Sequence, residues 1–94
     1  MLSQLPTDLK KVSKGNIDRE ILRAGIVAEL DAVNFYEQMA AMTENNDIKK
    51  ILLDIAKEEK THVGEFQALL LQLDKEQEKE LEQGRKEVEK ELGK

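Results

Sequence analysis

The chain has 94 residues, of which 37% are charged and 3% aromatic, and it contains five glycines, one proline and no cysteine. This length allows one small domain, and the abundance of Leu, Glu and Lys is typical of long helices. The net charge of −5 argues against a nucleic-acid or anionic-membrane surface, and the lack of cysteine excludes disulfides, thiolate metal sites and cysteine nucleophiles.

The N-terminal segment, residues 1–15, mixes leucines with polar residues and includes Pro6 and Gly15. We predict a short helical turn after Pro6. The segment lacks the continuous apolar stretch of a secretory signal, and nowhere do about 18 apolar residues follow one another, as a membrane-spanning helix requires. A cytoplasmic location is therefore expected.

Residues 16–73 predict two long helices. Asn16 is a candidate N-cap for the first, which extends to about Thr43 because apolar residues recur there at helical spacing: Leu22, Ile26, Val33 and Ala40. The stretch ENND, residues 44–47, predicts a turn with a second N-cap. The second helix runs from about Ile48 to Leu73, and its apolar stripe contains Leu52, Ile55, Val63, Phe66, Leu70 and Leu73.

The last part of the chain, residues 74–94, is charged and carries only three sizeable apolar residues, Leu81, Val88 and Leu92. It predicts a third helix, mostly solvated and interrupted or kinked near Gly84. The expected fold is therefore all-α, an antiparallel two-helix hairpin followed by a C-terminal helix. A hairpin this small cannot cover its own apolar stripes, so association with other chains is expected.

Two glutamates interrupt the apolar stripes. Glu29 lies seven residues after Leu22, and Glu59 lies seven residues before Phe66, so each shares a face with apolar residues. An ionised carboxylate buried there costs several kcal/mol unless it is paired, protonated or bound to a cation. Because no lysine or arginine on that face could pair with both glutamates, we interpret them as cation ligands.

His62, the only histidine, lies one helical turn after Glu59. A Glu-x-x-His pair with a further inward Glu offers carboxylate oxygens and one imidazole, a set that suits iron, manganese or zinc. Di-iron carboxylate bundles use one Glu from each of two helices and Glu-x-x-His from each of the other two. This chain has half of that set, so two chains about a two-fold axis would complete a four-helix bundle with one shared centre.

Other interpretations of these residues stay open. A Glu-x-x-His pair arises easily by chance in a helix rich in glutamate, and His62 could be a hydrogen-bonded interface residue. Glu29 could pair with a lysine across an oligomer. Tyr36, two turns after Glu29, is more often part of a core than of an active site.

The stretches IVAELDAVNFYEQ and KKILLDIAKEEKTHVGEFQALL resemble the encapsulated ferritins, two-helix ferritin-like proteins housed in encapsulin shells. The similarity covers residues 20–75 and carries Glu-x6-Tyr, followed about thirty residues after that Glu by Glu-x-x-His. The chain departs from the family pattern at Ala28, where an acidic residue is common, and at Phe35, where tryptophan is common.

The resemblance implies a di-iron ferroxidase centre at a homodimer interface, with dimers assembled further into a ring-like decamer. By match to the motif, Glu29, Glu59 and His62 would be the iron ligands, and Tyr36 would lie beside the centre. Asp31 would help to guide iron into the site. The implied activity is oxidation of Fe(II) to Fe(III), by oxygen or peroxide, for iron storage inside an encapsulin nanocompartment in the cytoplasm.

Two rival functions belong to other classes of protein. A rubrerythrin-like di-iron peroxidase would use the same ligands, but it normally adds a rubredoxin module, whose cysteines are absent from this sequence. A non-catalytic helical scaffold would pair its inward glutamates across an oligomer. Metal content and the kinetics of iron oxidation distinguish these alternatives.

Overall fold

A computed structural model describes residues 16–94, which form three α-helices and no strand: α1 Ile17–Met42, α2 Asn46–Leu73 and α3 Lys75–Leu92. This confirms the predicted all-α hairpin with a C-terminal helix. The predicted turn after Pro6 lies outside the described residues. Within residues 16–94, none of the helices combines the length and the apolar character that a membrane span needs.

The hairpin turn consists of residues 43–45, and the N-cap predicted within residues 44–47 is Asn45. Its side-chain Oδ1 accepts hydrogen bonds of 3.0 Å from the backbone N–H groups of Asp47 and Ile48, which lack partners within the helix. Because of this cap, α2 begins at Asn46, two residues before the predicted start. Asn16 precedes α1 as predicted, but its side chain accepts a hydrogen bond from Arg19 and does not cap the backbone.

The core between α1 and α2 is made mostly of small residues. The buried apolar side chains of residues 16–94 are Ala32, Val33, Ala40, Ala56 and Leu70. Alanine at the contact lets two helices approach closely, because its side chain fills little of the space between them. Val33, Ala40 and Leu70 belong to the stripes that the sequence predicts, and Ala32 and Ala56 lie beside them, so the register of both helices is as expected.

A single residue, Asp74, joins α2 to α3. Its Oδ1 accepts a hydrogen bond from the backbone N–H of Gln77, which caps α3, and its Oδ2 accepts one of 2.7 Å from Arg23 of α1. The N–H of Gln77, together with Arg23, holds the pKa of the Asp74 carboxyl below its usual range against the opposing effect of burial. Asp74 therefore fixes the corner at which α3 leaves the hairpin.

Helix α3 projects away from the hairpin and buries none of its residues. The described chain extends 47 × 43 × 19 Å, so two of its dimensions approach the length of α2. The predicted interruption near Gly84 is wrong, because α3 is continuous from Lys75 to Leu92. The cost of one glycine is local, and the residues around it are strong helix formers.

Candidate metal centre

Three side chains that could hold a metal ion meet between α1 and α2. Nδ1 of His62 lies 3.3 Å from Oε2 of Glu29 and 3.3 Å from Oε2 of Glu59. One ligand atom of each residue lies within 4.8 Å of the others. The structure thus brings together all three residues that the sequence singles out as candidate metal ligands.

The packing of small residues explains why the three side chains meet. Glu59 and His62 lie one turn apart on α2 and so project to the same side. Glu29 reaches them from α1 because the helices are close here: Ala32, three residues after Glu29, is 6% exposed, and Ala56, three residues before Glu59, is 2% exposed.

The separations within the cluster are compatible with a shared cation. A hydrogen bond between a charged nitrogen and a carboxylate is usually about 2.7–2.9 Å long, shorter than the 3.3 Å observed here. Two ligand atoms bound to one ion at about 2.0–2.2 Å, with roughly 90–110° between the bonds, lie about 2.8–3.6 Å apart. The observed spacing therefore suits adjacent positions around a metal ion.

No lysine or arginine among residues 16–94 forms an ion pair with Glu29 or Glu59. The nearest candidate in sequence, Lys60, contacts Glu37 at 3.1 Å instead. The side chains of Glu29 and Glu59 are only 20% and 19% exposed, so water solvates them incompletely. A half-buried pair of carboxylates sharing one imidazole is an environment in which a bound cation is strongly stabilising.

One side of the cluster is open. The His62 side chain is 44% exposed, and it lies within an apolar strip of α2. The strip consists of residues seven or eleven positions from His62, which share its face of the helix: Ile51, Ile55, Leu69 and Leu73. Ile51, Leu69 and Leu73 are 61%, 51% and 52% exposed, respectively.

A groove of about 260 Å³ continues the apolar strip from α2 onto α1, lined by Asp18, Ile21, Leu22, Leu69, Gln72 and Leu73. The His62 imidazole therefore opens onto a surface that spans both helices of the hairpin. A contiguous apolar surface of this kind is characteristic of protein–protein contact.

The other predicted site residues lie outside the cluster. Tyr36 is half-buried on α1, and its ring packs edge-on against Phe35 with 5.4 Å between ring centroids. Its hydroxyl forms no hydrogen bond with another residue in the described part of the chain. Asp31 is half-buried and lies two residues, or about 200° around the helix, from Glu29. A role for Asp31 in guiding iron stays a prediction.

The glutamates on either side of the predicted ligands behave as the helix register requires. Glu58 and Glu65 are exposed, whereas Glu59 is half-buried. The sequence places Phe66 on the apolar stripe of α2, but its close approach to Gly25 of α1, near the centre, was not predicted. A glycine inside an apolar helical stripe, one turn from Glu29, is the signal that could have identified this contact.

Comparisons with known proteins agree with this architecture. A family model described as Rubrerythrin matches residues 20–92. A ferritin-like–encapsulin shell fusion protein of Pyrococcus furiosus is 64% identical over 69 residues, which are 73% of this chain and 20% of that protein. An encapsulin nanocompartment cargo protein of Myxococcus xanthus is 40% identical over 68 residues, 72% of this chain and 52% of that protein.

The chain therefore spans about one fifth and one half of the lengths of these two relatives. The crystal structure of the encapsulated ferritin domain from Pyrococcus furiosus matches it with a TM-score of 0.85 and 51% identity, covering 100% of this chain and 98% of that domain. With a three-helix fold of the same shape and a family model that matches most of its length, the chain belongs to the rubrerythrin family and, within it, to the encapsulated ferritins.

Proposed function

We propose that two copies of this chain pair across the open side of the cluster and form one ferroxidase centre. Each copy contributes Glu29, Glu59 and His62, so the complete centre has four carboxylates and two imidazoles around two iron ions. The observation that carries this proposal is a half-set of ligands, with its histidine 44% exposed, opening onto an apolar surface. A second copy of the chain would then both supply the remaining ligands and bury that apolar surface.

The chemistry of the donor set supports iron as the substrate. Two Fe(II) ions supply two electrons, which with two protons reduce oxygen to hydrogen peroxide or reduce peroxide to two waters. The carboxylates of Glu29 and Glu59 hold Fe(II) and stabilise the harder Fe(III) product more strongly, which favours the oxidation. The imidazole of His62 completes each half of the centre.

The relatives suggest where this reaction takes place. One is named as a fusion to an encapsulin shell and another as cargo of an encapsulin nanocompartment. We infer that this chain also works inside such a shell, where Fe(III) is stored, and that its dimers assemble into a ring-like decamer as the resemblance implies. The flat, open hairpin gives no enclosed space for mineral.

The decisive experiment compares ligand variants with their exposed neighbours. Glu59→Gln and His62→Ala should each slow oxidation of Fe(II), followed by stopped-flow absorbance, by about 100-fold or more, because each removes two ligands from a shared centre. Glu58→Gln and Glu65→Gln are matched controls and should stay within about threefold of the parent. The proposal fails if the control variants lose activity and the ligand variants keep it.

Two outcomes would favour the rival functions. A peroxidase would turn over peroxide much faster than oxygen and retain its iron after each cycle, consistent with the family model described as Rubrerythrin. A scaffold would purify without metal, as measured by elemental mass spectrometry, and would keep its oligomeric state in chelator.

Tyr36→Phe should retain iron binding and change the oxidation rate by less than about tenfold, because the hydroxyl tunes the centre without supplying a ligand.

A further inference from the structure

Gly25 of α1 and Phe66 of α2 form the closest approach of a glycine to a side chain in the described part of the chain. A Cβ atom added to Gly25 would lie 3.2 Å from two carbons of the Phe66 ring and 3.3 Å from a third. Ordinary contacts of this kind are 3.4–4 Å long, so a Cβ atom at position 25 would require the ring to move by a few tenths of an ångström. Glycine is disfavoured inside helices, and this contact supplies the reason for it.

The contact lies one turn from the candidate metal ligands on both helices. Gly25 is four residues before Glu29, and Phe66 is four residues after His62. Residues four apart lie on the same face of a helix, so the ring and the ligands share one interface between α1 and α2. A change in the spacing of α1 and α2 at Gly25 would therefore extend to the cluster, one turn away.

The two contacts of His62 depend differently on the spacing between α1 and α2. Glu59 and His62 belong to the same helix, so the 3.3 Å between them does not require a particular spacing of α1 and α2. Glu29 belongs to the other helix, so its 3.3 Å separation from His62 depends on how closely α1 and α2 approach. A small increase in helix spacing would withdraw Glu29 and leave the Glu59–His62 pair intact.

We propose that Gly25 and Phe66 are positioning residues that set the distance of Glu29 from the metal. The inference rests on the proposed function, since it assumes that Glu29, Glu59 and His62 bind metal. The Phe66 ring packs against α1 at Gly25 and so limits how closely the two helices approach there. A methyl group at position 25 would push the ring, and with it α2, away from α1 by a few tenths of an ångström.

The test measures binding of Co(II), whose visible spectrum reports its coordination, to the full chain. Gly25→Ala should weaken Co(II) affinity by about tenfold and alter the spectrum, the size of effect typical for a lost orienting contact. Gly64→Ala is the matched control: it is also a helical glycine, but a Cβ there would meet nothing within 4 Å, so affinity should not change. The double variant Gly25→Ala/Phe66→Leu exchanges volume between the two positions and should recover most of the affinity.

A double-mutant cycle with Glu29→Gln identifies the route of the effect. If Gly25 acts through Glu29, adding Gly25→Ala to Glu29→Gln should change Co(II) affinity by less than about twofold. A full tenfold loss in that background would show a general loosening of the hairpin and would overturn the proposal. So would an affinity of Gly25→Ala equal to that of Gly64→Ala.

The experiment separates this inference from the proposed function. If the parent binds no Co(II), or if Glu29→Gln binds it as tightly as the parent does, the metal centre itself is refuted. If Glu29→Gln weakens binding and Gly25→Ala does not, only the positioning role of Gly25 and Phe66 is refuted. Should Gly25→Ala fail to fold, the double variant decides the question, because a tenfold loss in that compensated chain would contradict the proposal.

Discussion

Helices α2 and α3 are separated by one residue, yet some of their glutamates have opposite environments: exposed and paired with arginine in α3, half-buried beside histidine in α2. In α3, Arg85 pairs with Glu82 and Glu89 on adjacent turns of the same helix, and all three side chains are more than half exposed. The hydrogen bond from Arg85 lowers the pKa of the Glu82 carboxyl. In α2, Glu59 is 19% exposed and shares its histidine with a carboxylate from another helix.

The difference shows how charge distribution separates a solvated helix from one that carries a candidate metal site. A glutamate with a lysine or arginine one turn away is already paired within its own helix. Such pairs contribute only a few tenths of a kcal/mol to stability. A glutamate on an apolar face with no such partner remains an acceptor for an external cation. The hairpin therefore holds both the core and the candidate metal ligands, while α3 is helical from Lys75 to Leu92 and buries none of its residues.

The largest expected effect comes from truncating a leucine in each region. Leu70 of α2 is 4% exposed and Leu81 of α3 is 43% exposed. Leu70→Ala should lower the free energy of unfolding by about 2–5 kcal/mol, and Leu81→Ala by less than about 1 kcal/mol. Urea unfolding followed by circular dichroism measures both. Equal losses would mean that α3 is as buried in the assembled protein as the hairpin.

Metal should stabilise the assembly through the hairpin and not through α3. A ligand at 100 times its dissociation constant stabilises the state that binds it by about 2.7 kcal/mol, and the proposed centre exists only in the dimer. Native mass spectrometry should therefore show more dimer with Fe(II) than with chelator. Replacing Leu69 of the apolar strip by Glu should abolish the dimer, whereas Val88→Glu in α3 should not. Identical dimer populations with and without Fe(II) would contradict shared coordination.

The corner between the two regions should make stability depend on pH. Because the pKa of Asp74 is lowered in the folded protein, its contribution to stability is complete above the ordinary pKa of an aspartate, about 4. That contribution is lost as the pH falls through the lowered value. Asp74→Asn should reduce the melting temperature at neutral pH, and its difference from the parent should shrink in acid. A difference between Asp74→Asn and the parent that stays unchanged in acid would contradict this role of the Asp74 carboxylate.

The smallest expected effect is confined to α3. A Cβ on Gly84 would meet nothing within 4 Å, and α3 passes through this residue without a break. Gly84→Ala should raise the stability of the helix by about 1 kcal/mol at most. Hydrogen exchange should show slower exchange in residues 75–92 and unchanged exchange in the hairpin. Slower exchange in both regions would indicate that they unfold as one unit.

Helical periodicity predicted the hairpin, its register and the inward direction of the three candidate ligands, because an apolar stripe defines one face of each helix. It did not predict the specific side-chain contacts between helices. Arg23 pairs with Asp74 across 51 positions of the chain, and Phe66 rests on Gly25 across the interface. Such contacts depend on helix spacing and crossing angle, which a single periodic pattern does not contain. The prediction of a break at Gly84 was wrong because it gave the low helix propensity of one glycine more weight than the strong helix formers around it.

The short turn at residues 43–45 and the placement of two ligands on one helix have a consequence for how this centre tolerates insertions. Lengthening the turn would leave Glu59 and His62 in register with each other, since both are carried by the same stretch of α2. One residue inserted within α2 between the turn and Glu59 would instead rotate both ligands by about 100° relative to the preceding part of the helix. The pair would leave the interface together. Length variation in the hairpin can therefore be accommodated at its tip, whereas the stretch from residue 46 to residue 62 has to keep its length.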